Sequence, residues 1–302
     1  MMDNLRGSLF MVLAMACFSV EDAFVKAAAK TVPLGEVIFL FGFFGTILYI
    51  LLTLRRGEKV FHSALFTRAI FIRSICEIIG RLFFSISLVL IPLSSLSAIL
   101  QATPLIVVMG AAICFGEKVG WKRWSAIFIG FVGVLMIIRP GAGEFQLVSL
   151  FAVLGTLGFA GRDLATRAAP KVLSNIQLGV YGFFILMPAG LIILLFNDEV
   201  AKIVVPNSIN LLYIFGTILF GFTAYYFLTI AMRIGEVSVV TPFRYTRLLF
   251  ALLIGVTLFD ERPDILTLLG SAIVIASGIY TLLTNESLTK KNLIKGSFIK
   301  LR

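Results

Sequence analysis

Arg73, Glu77 and Arg81 recur at i, i+4 and i+8 inside an otherwise apolar stretch, so a helix carries all three on one face. Further along, Arg244 and Arg247 stand at i and i+3, flanked by Phe243 and Tyr245. A charge at the centre of a bilayer costs at least about 2.5–3.5 kcal/mol even on the mildest insertion scale, so each needs a partner or a purpose. Arg73, near the start of its apolar stretch, is placed to snorkel to a membrane surface. Arg81 lies about 18 Å deep by helical rise counted from the start of that stretch, beyond comfortable snorkelling. Glu77 is the expected neutralising partner. The deep bases Arg81, Arg244 and Arg247 then face only Glu77 and a distant Asp22, which leaves positive charge to meet a solute. Guanidinium groups hold carboxylates and phosphates through paired hydrogen bonds. With Phe243 and Tyr245 as stacking surfaces and Gln101 as an uncharged polar group, the expected ligand is a small anionic or zwitterionic organic metabolite, amino-acid-like or nucleoside-like. The competing reading is a buried ion-pair lattice that fixes helix register.

A second charged group begins at Glu21, Asp22 and Lys26 and has counterparts at Arg162, Asp163 and Arg167. Asp before a base at i+4 is the favourable order for a helical pair. The bland reading is two local salt bridges; the sharper one is a pair of symmetry-related gates. Asp22 or Glu77 could carry a proton, which makes protons a candidate coupling ion. Glu117 and Glu261 precede apolar stretches and are expected to cap the following helix. Pro104, Pro188 and Pro242 fall inside spans and predict kinks or hinges.

Chemistry of other kinds has little to work with. The single histidine, His62, sits in a polar stretch, and Cys17, Cys76 and Cys114 lack metal-ligand spacing, so no metal or cofactor is expected. Lipid-directed catalysis by a membrane-embedded enzyme, or flipping of a lipid-linked substrate, is the alternative function class. The sequence has no paired-Asp motif, His cluster or phosphate-binding loop to support it.

These residues are positioned by segments that only a membrane explains. Apolar residues make up 59% of the 302 and charged ones 14%, against about a quarter charged in soluble domains. The apolar blocks are about 20 residues long, enough to cross the hydrocarbon as helices. Ten are predicted, at 5–29, 34–54, 69–91, 93–115, 121–139, 146–168, 176–196, 209–232, 236–259 and 264–284. Ile91-Pro92 is read as a tight hairpin, with one long kinked helix as the alternative. The first block is too long for a signal-peptide core. Lys and Arg cluster in alternate connections and in the tail from 286 to 302. That bias puts both termini in the cytoplasm of a bacterial inner membrane and points to contact with anionic lipid. The +10 net charge is therefore not read as nucleic-acid binding.

The halves repeat. Ser8-Leu9-Phe10 through Leu13 matches Ser149-Leu150-Phe151 through Leu154, Phe18 pairs with Phe159, Asp22 with Asp163, and Ala27-Ala28 with Ala168-Ala169. Phe115-Gly116-Glu117 matches Phe259-Asp260-Glu261, and Ser94 matches Ser238. Five spans per half is an odd number, so the second half enters from the other side. The fold class is all-α integral membrane, ten transmembrane helices as two inverted five-helix repeats, 1–141 and 142–285. Such inverted repeats suit alternating access.

The chain resembles the drug/metabolite transporter superfamily, in its ten-span form built from two EamA modules. The resemblance rests on Ile91-Pro92-Leu93-Ser94-Ser95, Thr103-Pro104-Leu105, Phe115-Gly116-Glu117 and Gly130 through Val134. In the second half it rests on Gly235 through Pro242, Phe259-Asp260-Glu261 and Ala276-Ser277-Gly278. Ser19 through Lys26 and Trp121-Lys122-Arg123-Trp124 are similar to bacterial carriers of S-adenosylmethionine; riboflavin carriers and amino-acid exporters share the scaffold. The resemblance implies a secondary transporter with a central cavity lined by both modules and no ATP hydrolysis.

Overall fold

Backbone amides that cannot reach water must bond to one another, and continuous apolar sequence satisfies that demand only as helix. The computed structural model describes residues 2–116, 121–138, 148–170, 172–196, 203–234, 241–277 and 279–280, and the elements among them are helices and turns. They are α1 (Met2–Ala28), α2 (Leu34–Arg55), α3 (Arg68–Leu90), α4 (Leu93–Leu100), α5 (Thr103–Phe115), α6 (Trp121–Ile138) and α7 (Val148–Arg167). The second half continues with α8 (Asn175–Phe184), α9 (Leu186–Phe196), α10 (Ser208–Ile234), α11 (Thr246–Phe259) and α12 (Ile265–Ser277). Short 3₁₀ turns stand at Ser63–Phe66 and Thr241–Tyr245.

Six of these stretches are long and apolar enough to cross a membrane: Leu5–Ala28, Leu34–Arg55, Leu93–Cys114, Val148–Thr166, Asn175–Phe196 and Ser208–Ala231. Trp124–Ile137 and Ile265–Ser277 are shorter apolar helices. α3 differs because Arg73, Glu77 and Arg81 interrupt its apolar run.

Two long stretches are each built from two helices. α4 ends at Leu100, with Gln101 as its C-cap, and α5 starts at Thr103, because Pro104 has no N–H to give the Leu100 carbonyl four residues back. The Thr103 hydroxyl donates to that carbonyl instead, at 2.6 Å. Pro188 similarly lies in the first turn of α9, just past the break from α8 at Ile185. Pro242 lies in the second 3₁₀ turn. α3 and α4 are separate helices: Ile91 has extended backbone, with φ −122° and ψ 162°, and Pro92 caps α4. The single long kinked helix is thereby excluded.

α1 packs along α10, α3 along α7, α2 against α8 and α9, and α4 against α11. The closest approaches need glycine. A Cβ on Gly158 of α7 would lie 2.4 Å from the Gly80 nitrogen of α3, and one on Gly35 of α2 would lie 2.5 Å from the Gly190 oxygen of α9. Polar side chains within the bundle return their protons to their own helices, as Thr46 does to the Gly42 carbonyl and Thr53 to Tyr49. Large apolar side chains such as Leu51, Phe71, Phe128, Leu195 and Leu253 stay on the outer surface, where acyl chains would cover them.

Candidate functional site

A central cavity of about 110 Å³ lies where α1, α3, α7 and α11 meet the breaks in the α4/α5 and α8/α9 stretches. Charged side chains from α1, α3, α7 and the α11 segment line it: Glu21, Glu77, Arg81, Arg162, Arg244 and Arg247. Aromatic rings fill the intervals, with Phe18, Phe41, Phe84, Phe159, Phe183 and Tyr225 on its wall.

Every deep arginine has an acid, but the pairs differ from those the spacing suggests. Arg81 donates to Glu21, not to Glu77, at 3.0 Å from Nη2 to Oε1. The i+4 partner of Glu77 is Arg73, at 3.5 Å, and Glu77 also accepts from Arg162 across the α3–α7 contact at 3.1 Å. Arg73 does not snorkel. It is 1% exposed and donates to Thr166 at 3.0 Å and to the Tyr225 hydroxyl at 2.8 Å. A neighbouring helix offering these acceptors holds an arginine better than a climb to the interface would.

The expected Asp22–Lys26 helical pair is not formed. Asp22 accepts from Arg247 of α11 at 2.5 Å, and Lys26 turns to Glu261. Asp163 accepts from its neighbour Arg162 at 2.9 Å and from Arg244 at 3.1 Å; the Arg167 side chain lies outside the described residues. An unpaired buried charge is costly, and the acids that neutralise Arg81, Arg244 and Arg247 come from other helices. The chamber therefore carries both signs. Arg73, Arg81, Arg162, Arg244 and Arg247 stand against Glu21, Asp22, Glu77 and Asp163, one positive charge in excess. On the wall itself four arginines, Arg81, Arg162, Arg244 and Arg247, face two glutamates, Glu21 and Glu77.

The rings complete the electrostatics. Arg81 lies over Phe41 at 4.9 Å, Arg162 over Phe159 at 4.9 Å, and Arg247 between Phe18 and Phe84 at 5.1 and 5.6 Å. Such contacts hold a guanidinium plane in place. Three donors in this wall have no hydrogen-bond partner among the described residues: Arg81 Nε, Arg247 Nε and Gln101 Nε2. Gln101 is 3% exposed and projects from the α4–α5 break onto the cavity.

The remaining sequence candidates lie elsewhere. Phe243 is 38% exposed and is no part of the cavity wall. Tyr245 is buried at the start of α11, its hydroxyl without a partner among the described residues. Asp22 is fully buried behind the wall, beneath Arg247. Glu21 entered as a gate and stands in the wall; Arg162 does likewise. Sequence reasoning passed over Phe18, Phe41, Phe84, Phe159, Phe183 and Tyr225, because 29 phenylalanines in an apolar chain give no periodic signal that separates wall from lipid face. Glu261 caps α4, at a distance in sequence, and not the helix that follows it. Asp264 takes the local role, accepting from the Thr267 N–H at 3.0 Å. Glu117 lies outside the described residues.

The EamA-like transporter family profile matches the chain twice, over residues 5–139 and 146–284. The chain belongs to this family. Among its relatives, the S-adenosylmethionine uptake transporter of Rickettsia prowazekii is 22% identical over 93% of this chain and 94% of its own length. The pseudopaline exporter CntI of Pseudomonas aeruginosa is 26% identical over 90% and 94%. The riboflavin transporter of Rhizobium johnstonii is 24% identical over 93% and 91%. A solved crystal structure, 19% identical, superposes with a TM-score of 0.63 over 92% of this chain and 98% of that one, a likeness of fold. The EamA-like chain is thus a multi-pass membrane transporter of small molecules and not an enzyme.

Proposed function

We propose that the chain is a secondary transporter that carries a small zwitterionic or anionic organic metabolite, amino-acid-like or nucleoside-like, across the bacterial inner membrane by alternating access. The cavity wall is the observation that carries this reading. Its unpartnered donors on Arg81, Arg247 and Gln101 suit a carboxylate, Glu21 and Glu77 suit a cationic group on the same solute, and the Phe rings suit its apolar or ring surface. The names of the relatives, carriers of S-adenosylmethionine, pseudopaline and riboflavin, lie in the same chemical range.

Two five-helix units, 1–141 and 142–285, form the carrier, each with five spans and inverted with respect to the other; residues 286–302 form a basic cytoplasmic tail. The reciprocity of the packing supports this. Span one lies on span eight as span three lies on span six, while span two meets span seven and span four meets span nine. A two-fold axis in the membrane plane between repeats produces that set of pairs. The Lys and Arg bias places both termini in the cytoplasm. Protons are the candidate coupling ion, and anionic lipids are the partners of the tail.

Counterflow in proteoliposomes tests the proposal. Vesicles loaded with unlabelled S-adenosylmethionine or an amino acid should transiently accumulate the same labelled solute, chemically unchanged. Uptake that stays at the level of protein-free vesicles for every zwitterion and organic anion tried would remove it. Collapsing an imposed pH gradient in the same vesicles separates proton coupling from exchange.

A further inference from the structure

Glu261 stands at the end of the bundle where α1 finishes, where α1, the start of α4 and the end of α11 meet. Its Oε1 accepts from the Leu93 N–H at 2.5 Å, and its Oε2 accepts from the Ser94 N–H at 3.0 Å and the Ser94 hydroxyl at 2.8 Å. The carboxylate thus closes the N-terminus of α4, where free N–H groups and the helix dipole favour an anion. Lys26 of α1 reaches the same carboxylate at 3.4 Å and donates to the Ile91 carbonyl at 2.8 Å. Lys26 and Lys30 both lie over the Phe259 ring at 5.4 Å.

The local backbone is shaped to present Glu261 there. Asp260 adopts a left-handed conformation, φ 53°, and the Glu261 N–H returns to the Gly255 carbonyl at 2.9 Å, which turns the chain sharply at the end of α11. Gly255 leaves space for the carboxylate, since a Cβ there would lie 2.5 Å from Glu261 Oε2.

Each helix joined at this point also carries a residue on the cavity wall or directly behind it. α1 has Lys26 in the junction and, four residues earlier, Asp22, which holds Arg247. α4 has the cap at its N-terminus and Gln101 at its C-terminal end, about 12 Å away by helical rise. α11 runs from Arg247, near its start, to Phe259 and the turn that carries Glu261. A shift of any of the three helices in the cavity therefore pulls on the same carboxylate.

We infer that Glu261, with Lys26 and the N-terminus of α4, is a gate latch that closes one end of the cavity and couples its release to occupation of the cavity. It rests on the alternating-access reading above, whose orientation makes this the periplasmic end. A cap made by distant sequence from the other half is a removable bond, unlike one made by the neighbouring residue. Opening this end requires the α11 turn to leave α4, and a solute that draws Arg247 from Asp22 or engages Gln101 loosens it.

The test is cysteine accessibility. In a background with Cys17, Cys76 and Cys114 replaced by Ala, a single Leu100→Cys, on the cavity wall, reports entry of a membrane-impermeant methanethiosulfonate added outside sealed right-side-out vesicles. Glu261→Gln should speed labelling at least about threefold, and Lys26→Met, which leaves the α4 cap in place, should speed it less. Unchanged labelling in Glu261→Gln protein with an unchanged unfolding midpoint overturns the latch. Should Glu261→Gln fail to accumulate, the Lys26→Met rate decides, and no increase there overturns it. A second arm joins Ser94→Cys to Glu261→Cys with a short, reducible bis-methanethiosulfonate linker and follows S-adenosylmethionine counterflow. The latch predicts arrest on linking and recovery on reduction; counterflow that continues with the link complete overturns it. Labelling needs no transported solute. A latch that passes the first arm in a protein that moves nothing leaves the latch standing and the transport reading fallen.

Discussion

Arg81 of α3 and Glu21 of α1 meet at 3.0 Å, both almost fully buried, and the guanidinium Nε–H has no hydrogen-bond partner among the described residues. The pair joins two helices in one wall of the cavity. A buried pair of this kind contributes little net stability against an apolar substitute, yet breaking it from one side is costly.

Arg81→Met leaves Glu21 buried and unpaired and should lower stability by about 3–5 kcal/mol. Arg81→Met combined with Glu21→Gln should recover most of that loss without restoring transport. Thermal unfolding in detergent measures the first effect and counterflow the second. A double variant no more stable than Arg81→Met alone would contradict the pairing.

Gln101→Ala removes a cavity donor that bonds to no described protein group. Solute affinity should fall about three- to tenfold, the worth of one hydrogen bond, while the unfolding midpoint moves little. Equilibrium binding by calorimetry checks this, and a large loss of stability at unchanged affinity would assign Gln101 a structural role.

Much of the helical scaffold was legible in the sequence because lipid leaves the backbone few options. Residues 34–54, 93–115 and 176–196 read directly as spans, and Pro104 and Pro188 announce their breaks. The polar positions are legible too: Glu77, Arg81, Arg244, Arg247 and Gln101 are conspicuous against apolar neighbours, and they converge on one cavity. Their pairing was not legible. Spacing along one helix couples Arg81 to Glu77 and Asp22 to Lys26, whereas the bundle gives Arg81 to Glu21, Arg247 to Asp22 and Lys26 to Glu261. Which of several acids an arginine meets is set by helix rotation, and helix rotation is fixed by contacts such as Gly80 against Gly158. No single-helix pattern contains that information.

Gly158→Val should test that contact. The added side chain must separate α7 from α3, where even a Cβ meets the Gly80 backbone nitrogen at 2.4 Å. Overpacking of this kind costs about 1–3 kcal/mol, and parting the helices also stretches the Arg162–Glu77 bridge. Unfolding midpoint and counterflow should fall together. A Gly158→Val protein as stable and active as the original would mean that the helices do not approach this closely.

Asp22 and Asp163 occupy matching places in the two halves but hold different partners, Arg247 for the first and both Arg162 and Arg244 for the second. If the halves act as opposite gates, Asp22→Asn and Asp163→Asn should slow opposite half-cycles. Rates of solute release and rebinding on each side of oriented vesicles separate the two. Equal slowing of both half-cycles by each variant would argue for a shared structural role.

The central claim is that solute passes through the two-signed cavity between the halves, and counterflow compared between the unmodified protein and the Arg81→Met/Glu21→Gln pair tests it most directly. S-adenosylmethionine and the common amino acids are the first solutes to load. The account predicts transient accumulation of at least one of them by the unmodified protein and none by the folded double variant. Accumulation at the same rate by both would show that the solute takes another route.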